Sequence, residues 1–289
     1  MRILILGGAG MLGHRLWAEL SRHYEVWGTI RSSAERLPSI SGIDRNRIRG
    51  DVDANNFDEV VRALAGVEPD VVINCIGVVK QHPLSSDPLT ALEINALLPH
   101  RLSLIAKAAS IRLIHFSTDC VFSGNKPLPY CEDDQSDAED LYGRTKFLGE
   151  ISYGDHTLTL RTSIIGRELQ TQYGLIEWFL RQNKPVNGWR NAIFSGFTTN
   201  FIARILLEHV LANPKLAGVY HLSSDALSKY DLLNLVNKIY KRRTRIDPDD
   251  TVNCNRALDS TRFRMETGFH PPSWPEMIQD MYDQPTSQG

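Results

Sequence analysis

The segment Leu141-Tyr142-Gly143-Arg144-Thr145-Lys146-Phe147 places a phenol and an ammonium at Y-x-x-x-K spacing. On a helix, positions four apart share a face, so the two groups can meet. A free phenol has a pKa of about 10 and moves protons poorly at neutral pH. A neighbouring cation favours the phenolate and draws that pKa toward the working range. The chemistry on offer is proton transfer at an oxygen. Such pairs also occur as ordinary helix-surface contacts, so this one takes its weight from its company. Ser117-Thr118-Asp119 closes an apolar run upstream. A hydroxyl there can hydrogen-bond a carbonyl and stabilise charge developing on its oxygen.

The second constellation stands at the start of the chain. Leu6-Gly7-Gly8-Ala9-Gly10-Met11-Leu12-Gly13 fits G-x-G-x-x-G at 8, 10 and 13, and G-x-x-G-x-x-G at 7, 10 and 13. Glycine is needed where a tight turn demands unusual backbone angles and a pyrophosphate must approach the main chain. The helix N-terminus that follows offers N–H groups and a positive dipole end. Gly7, Gly10, Met11, Leu12 and Gly13 are therefore the candidate phosphate contacts of a dinucleotide. The bland alternative is a glycine-rich turn without a ligand, which the strand–turn–helix context weighs against. Where an NAD-preferring site would carry Asp or Glu, the chain reads Gly28-Thr29-Ile30-Arg31-Ser32-Ser33. A guanidinium beside two hydroxyls suits a 2′-phosphate, so Arg31 favours NADPH and leaves NADH use open. The plain reading of Arg31 is a solvated loop residue. With the phenol, ammonium and hydroxyl, the turn points to hydride transfer at a carbonyl.

These groups need a scaffold, and the hydrophobic pattern supplies one. Strands are expected at Arg2–Leu6, Glu25–Ile30, Val71–Cys75, Arg112–Ser117 and Thr157–Thr162. Apolar residues at helical spacing lie between them, as at Leu12, Leu16 and Leu20, or Leu102, Ile105 and Ala106. Repeated strand, helix, strand order means an α/β fold, a Rossmann-type doubly wound parallel sheet with helices on both faces. In such a sheet ligands bind at the carboxyl ends of strands, where Thr118 would stand. Past residue 163 the pattern loosens into helices at Leu175–Arg181, Asn200–Leu211, Lys229–Tyr240 and Ser260–Thr267, with a strand at Val219–Ser223. A turn at Phe269–Pro275 leads to a last helix, and the tail 285–289 is polar and expected to fray. Residues 1–162, rejoined by about 196–222, form the expected cofactor domain. Residues 163–195 and 223–289 form a smaller C-terminal substrate-binding lobe. The loop 123–140, with Pro127, Pro129 and six acidic residues, is expected at the surface, as a candidate flap.

With these pieces in place, the chain resembles the extended short-chain dehydrogenase/reductase superfamily, and within it the dTDP-4-dehydrorhamnose reductase family. The likeness rests on the glycine turn, Gly50-Asp51-Val52, Asn74-Cys75-Ile76-Gly77 and Ser117-Thr118-Asp119-x-Val121-Phe122-x-Gly124. It continues through Tyr142-Gly-x-Thr-Lys146-x-x-Gly-Glu150, Leu160-Arg161-Thr162-Ser163, Thr198-Thr199 and Gly218-Val-Tyr-His-Leu-Ser-Ser224. The resemblance implies Thr118, Tyr142 and Lys146 as a catalytic trio, Asp51 and Val52 beside an adenine, and Cys75, Ile76 and Gly77 beside the cofactor. Tyr142 and Lys146 would also touch the cofactor, Lys146 at the nicotinamide ribose. The implied reaction reduces the C4 ketone of a 6-deoxyhexose on a nucleoside diphosphate, in cell-surface polysaccharide precursor synthesis.

Asp119 and Cys120 fall near the implied sugar pocket, and the family commonly has an aromatic where Cys120 stands. That departure admits a UDP-linked 2-acetamido-2,6-dideoxy-4-ketohexose as a rival to dTDP-4-dehydrorhamnose. Trp189 is a candidate substrate contact, among aromatics that are more often core. Arg161 is either structural or a diphosphate partner. Two other classes stay open: an epimerase or 4,6-dehydratase, and a non-catalytic subunit similar to methionine adenosyltransferase β.

Composition sets the bounds. The 289 residues carry 32 basic and 34 acidic side chains, a formal net charge of −2, which argues against nucleic acid as the main partner. The four cysteines form no C-x-x-C pair, the nine histidines show no ligand spacing, and no metal is expected. No apolar run approaches membrane-spanning length, and the expected setting is the cytoplasm with reduced thiols. A homodimer is compatible with the resemblance.

Overall fold

Arg2–Leu6 (β1) shows how the sheet divides the core. Ile3 and Ile5 enter one buried cluster with Leu16 and Trp17, while Leu4 and Leu6 enter another with Val60, Leu64 and Leu102. Side chains alternate across a strand, so a strand apolar at every position needs cover on both faces. Glu25–Thr29 (β2), Ile48–Arg49 (β3), Val71–Asn74 (β4), Arg112–Thr118 (β5) and Thr157–Thr162 (β6) follow. Ile164–Ile165 (β7) pairs with Phe197–Thr198 (β9), on either side of Val186–Phe194 (β8). Gly218–His221 (β10) then joins β6. The computed structural model describes residues 1–80 and 86–284, so the tail 285–289 lies outside the described residues.

The seven strands run in the order β10-β6-β5-β4-β1-β2-β3, each neighbouring pair parallel. The fold is therefore the expected Rossmann-type α/β sheet, with chain order reversing between β1 and β4. Helices Gly13–Leu20 (α1) and Phe57–Val67 (α2) lie on opposite faces. Pro88–Ala91 (α3) and Leu98–Ala108 (α4) are joined by a π-helical stretch, Leu92–Leu97. Leu141–Leu148 (α5) packs against that stretch.

The remaining helices are Leu175–Leu180 (α6), Thr199–Ile205 (α7), Lys229–Ile239 (α8), Thr261–Thr267 (α9) and Trp274–Asp283 (α10). Asn200–Leu211 was expected as one α-helix; from Leu206 to Val210 it widens to π geometry. A second sheet of three strands has the order Leu227–Ser228 (β11), β8, then Ile246–Asn255 (β12). The pattern did not announce β8 or β12. Their sequences, VNGWRNAIF and IDPDDTVNCN, carry Gly, Pro and Asp, which lower strand propensity. Pairing from Ile246↔Val186 to Asn255↔Ile193 supplies what propensity does not.

Candidate active site

The glycine turn is held by β2. Gly7 N–H donates to Thr29 Oγ1 (3.1 Å), Gly8 N–H to Thr29 O (2.7 Å), and Gly10 N–H to Gly7 O (3.0 Å). Gly7 adopts φ +83°, and a Cβ at Gly13 would lie 2.1 Å from Gly7 O, so only glycine closes this turn. His14 N–H bonds to Gly10 O at 3.1 Å; the amides of Met11, Leu12 and Gly13 precede that bond. A Cβ on Gly7 would stand 3.1 Å from Ile76 and 3.3 Å from the Cys75 carbonyl. The turn therefore abuts residues 75–77 at the β1/β4 reversal, where open α/β sheets bind ligands.

Arg31 is exposed just beyond β2. Asp51 N–H donates to Ser32 O (3.0 Å) and Val52 N–H to Ile30 O (3.1 Å), bringing segment 50–52 alongside Arg31. A cavity of about 290 Å³ opens there, lined by Arg49, Gly50, Asp51, Val52, Glu59, Arg62 and Ala63. A cradle only glycine can form, amides at a helix start and a cavity along segment 49–52 fit a dinucleotide's pyrophosphate and adenosine ends.

Across the switch point, α5 is pressed onto the turn after β5. Asp140 caps it through Gly143 N–H (2.7 Å), and a Cβ on Gly143 would fall 2.2 Å from Cys120 O. The helix brings the Tyr142 phenol within hydrogen-bonding reach of the Thr118 hydroxyl. Lys146 Nζ donates to Phe116 O at 2.6 Å. All three expected catalytic residues thus gather at one strand end.

The expected electrostatics need correcting. Burial pushes the Tyr142 phenol up, the nearby Cys120, Asp119 and Asp140 push the same way, and the Thr118 hydrogen bond opposes them. The cation does not dominate, because its ammonium is turned to the Phe116 carbonyl. Burial also pulls Lys146 down, to about 8, against Glu150 and Cys75.

Sequence reasoning missed Asn95. Its carboxamide accepts from Val78 N–H (2.9 Å) and donates to Val78 O (3.1 Å) and Thr145 Oγ1 (3.3 Å). It ties the loop after β4 to α5 from inside the π-helical stretch. An amide between Ile94 and Ala96 in the largely apolar run Ala91-Leu-Glu-Ile-Asn-Ala-Leu-Leu98 was the available signal.

Arg161 is structural. It grips Glu150 through Nε (2.8 Å) and a terminal nitrogen (2.7 Å), with both side chains nearly fully buried, while Ser117 Oγ donates to Glu150 (2.6 Å). Asp119 is buried one residue beyond Thr118, and Arg256 donates to Phe122 O (2.8 Å) and Cys120 Sγ (3.5 Å). The Cys120 thiol is pushed up to about 12, mainly by burial, so it carries no reactive thiolate at neutral pH.

Trp189 lies on β8 of the three-stranded sheet, 44% exposed. The loop 123–140 is anchored at Tyr130. Tyr130 stacks on Phe122 at 4.1 Å, accepts from Gly124 N–H and Lys126 N–H, and bridges to Leu258.

The family model described as RmlD substrate binding domain matches residues 1–287. The chain is 26% identical to dTDP-4-dehydrorhamnose reductase of Escherichia coli (strain K12), over 98% of each chain. It is 23% identical to methionine adenosyltransferase 2 subunit beta of Bos taurus, over 80% of this chain and 70% of that one. Among solved structures, the NADP complex of dTDP-4-dehydrorhamnose reductase from Bacillus anthracis str. Ames superposes with TM-score 0.80 at 20% identity, covering 98% of each chain, a likeness of fold.

Proposed function

The chain belongs to the RmlD substrate binding domain family, and from that premise we propose that it is an NADPH-dependent oxidoreductase acting on the C4 ketone of a nucleotide-linked 4-keto-6-deoxy sugar. The observation that carries the reading is the convergence of Thr118, Tyr142 and Lys146 at the end of β5, beside a glycine cradle at the β1/β4 reversal. The cradle fits the cofactor: Met11, Leu12 and Gly13 would hold its diphosphate, Asp51 and Val52 its adenine, and Arg31 its 2′-phosphate. NADPH, when bound, supplies the hydride that forms the new C–H bond at C4. Thr118 donates a hydrogen bond to the ketone oxygen as charge grows there. Tyr142 gives that oxygen its proton and is left as phenolate, accepting from the Thr118 hydroxyl until solvent restores the proton. A phenol pushed up by burial is a proton donor at rest, which suits a reductase.

Residues 163–195 and 223–289 are proposed to hold the sugar nucleotide, either dTDP-4-dehydrorhamnose or a UDP-linked 2-acetamido-2,6-dideoxy-4-ketohexose. Cys120, where the family commonly has an aromatic, keeps the amino sugar a rival substrate. The setting we propose is cytoplasmic synthesis of cell-surface polysaccharide precursors. No helix among the described residues is long and apolar enough to cross a membrane.

The test is a panel of nucleotide-linked 4-keto sugars, following loss of reduced-nicotinamide absorbance. Oxidation in proportion to product supports a reductase. Conversion without net oxidation would instead make it an epimerase or dehydratase, which return their hydride. The likeness to a methionine adenosyltransferase subunit supports a second reading, a nucleotide-binding regulatory partner. Recovery of a synthetase in a pull-down, with no turnover on the panel, would favour it.

A further inference from the structure

The three-stranded sheet turns two cations toward the end of β5. Lys229 opens α8 directly after β11, and Arg256 follows β12. Both adjoin Ile193 on β8: Ser228 pairs with it, and Arg256 N–H donates to its carbonyl at 2.9 Å. Arg256 is occupied by Phe122 O and Cys120 Sγ. Lys229 is not so engaged. Its Nζ lies 3.5 Å over the Phe194 ring and, among the described residues, donates no hydrogen bond to a protein acceptor. Burial disfavours its charge, while Asp119, Cys120 and Cys254 favour it and Arg256 opposes it. Asp119 and Cys120 also neighbour Tyr142, and Arg256, which flanks Ile193 with Lys229, donates to Cys120 Sγ, so the ammonium lies on the side of the candidate proton donor. Its platform is fixed: Phe194 is buried, its ring 5.1 Å from that of Trp274, whose indole N–H donates to Asp225 O (2.8 Å).

We propose that Lys229 is a specificity-determining residue, donating a hydrogen bond to an oxygen on the sugar ring, a hydroxyl or an acylamido carbonyl beside the ketone. The inference rests on the reductase reading above. A half-buried ammonium seated on an aromatic face has donors to spare and little water, and a site built this way rejects sugars without the acceptor. The diphosphate is the competing acceptor, and the experiment separates the two.

Steady-state constants would be measured for wild type, Lys229→Met and Lys229→Arg with the 4-keto sugar nucleotide that wild type reduces. Inhibition by the matching nucleoside diphosphate and the Kd of NADPH would be measured alongside. Lys229→Met should raise KM about tenfold or more, with nucleoside diphosphate inhibition and NADPH affinity within about twofold of wild type. Lys229→Arg should recover part of the loss. A KM within twofold of wild type in Lys229→Met would overturn the proposal. So would nucleoside diphosphate inhibition weakening in step with KM, which would move Lys229 to the diphosphate. Absence of wild-type turnover on every sugar would overturn the underlying reading instead, a result visible before any variant is made.

Discussion

The Lys146 ammonium donates to the Phe116 carbonyl at 2.6 Å, inside the strand that ends in Thr118. This bond pins α5 to β5, so the Tyr142 phenol and Thr118 hydroxyl are held in reach of one another by a side chain one turn further along the helix. Burial pulls the amine down to about 8, with Glu150 opposing it. The lysine therefore serves as a clamp on the site as well as a charge within it.

Removing the phenol tests the proton step alone. Tyr142→Phe should lower turnover about 10²-fold or more, the usual weight of a positioned general acid, while NADPH binding stays close to wild type. Turnover near wild type would remove Tyr142 from the mechanism.

The sheet and the trio were legible because they depend on local pattern. β1 and β6 keep their expected bounds, and β2, β4 and β5 shift by one residue at an end, where pairing rather than propensity decides. Y-x-x-x-K and S-T-D each declare one strand or helix end. What stayed hidden depends on contacts distant in sequence. Asn95 meets Thr145 fifty residues on. Lys229 acquires meaning only because β11 pairs with β8, and neither β8 nor β12 has a strand-like composition. Trp189 belongs to the same hidden part: its strand was not recognised, so the sequence carried no sign of which end of it faces the site.

Arg31 decides cofactor choice if its exposed guanidinium meets a 2′-phosphate. Arg31→Ala should weaken NADPH by about 10- to 100-fold, the range of a charge-assisted hydrogen bond, and leave NADH nearly unchanged. Dissociation constants for both cofactors, measured by quenching of intrinsic tryptophan fluorescence, would show it. Equal losses for the two would refute the assignment.

Buried imidazoles set an acid limit on stability, His115 among them, held well below its ordinary value by burial. Burial lowers His14 to about 4 and His221 to about 3, with Arg161 adding to the second shift. The unfolded chain takes up protons on both as pH falls through about 6.5, whereas the folded chain does not until those lower values. The unfolded state thus binds more protons in this window, and stability rises with pH across it, each histidine contributing on the order of 3 kcal/mol. Denaturant melts at intervals from pH 7 to 4 should show this slope, and His221→Gln should flatten it. An unchanged slope in the variant would exclude His221 as a source.

Glu150 and Arg161 form a buried, two-pronged ion pair whose carboxylate also accepts from Ser117, the residue before Thr118. Breaking such a pair leaves an uncompensated charge in a poorly hydrated interior, a loss of about 3–5 kcal/mol. Arg161→Met should therefore lower Tm sharply, and Glu150→Gln should do so while also reducing kcat, because Ser117 loses an anionic acceptor beside the reacting hydroxyl. The double replacement Glu150→Gln with Arg161→Met leaves neither member of the pair stranded and should be less destabilising than the two single changes summed, which a double-mutant cycle reads directly. Had Arg161 instead met the substrate's diphosphate, its loss would raise KM with Tm intact. That pattern, or strict additivity in the cycle, would be incompatible with the pair as the strut beneath the site.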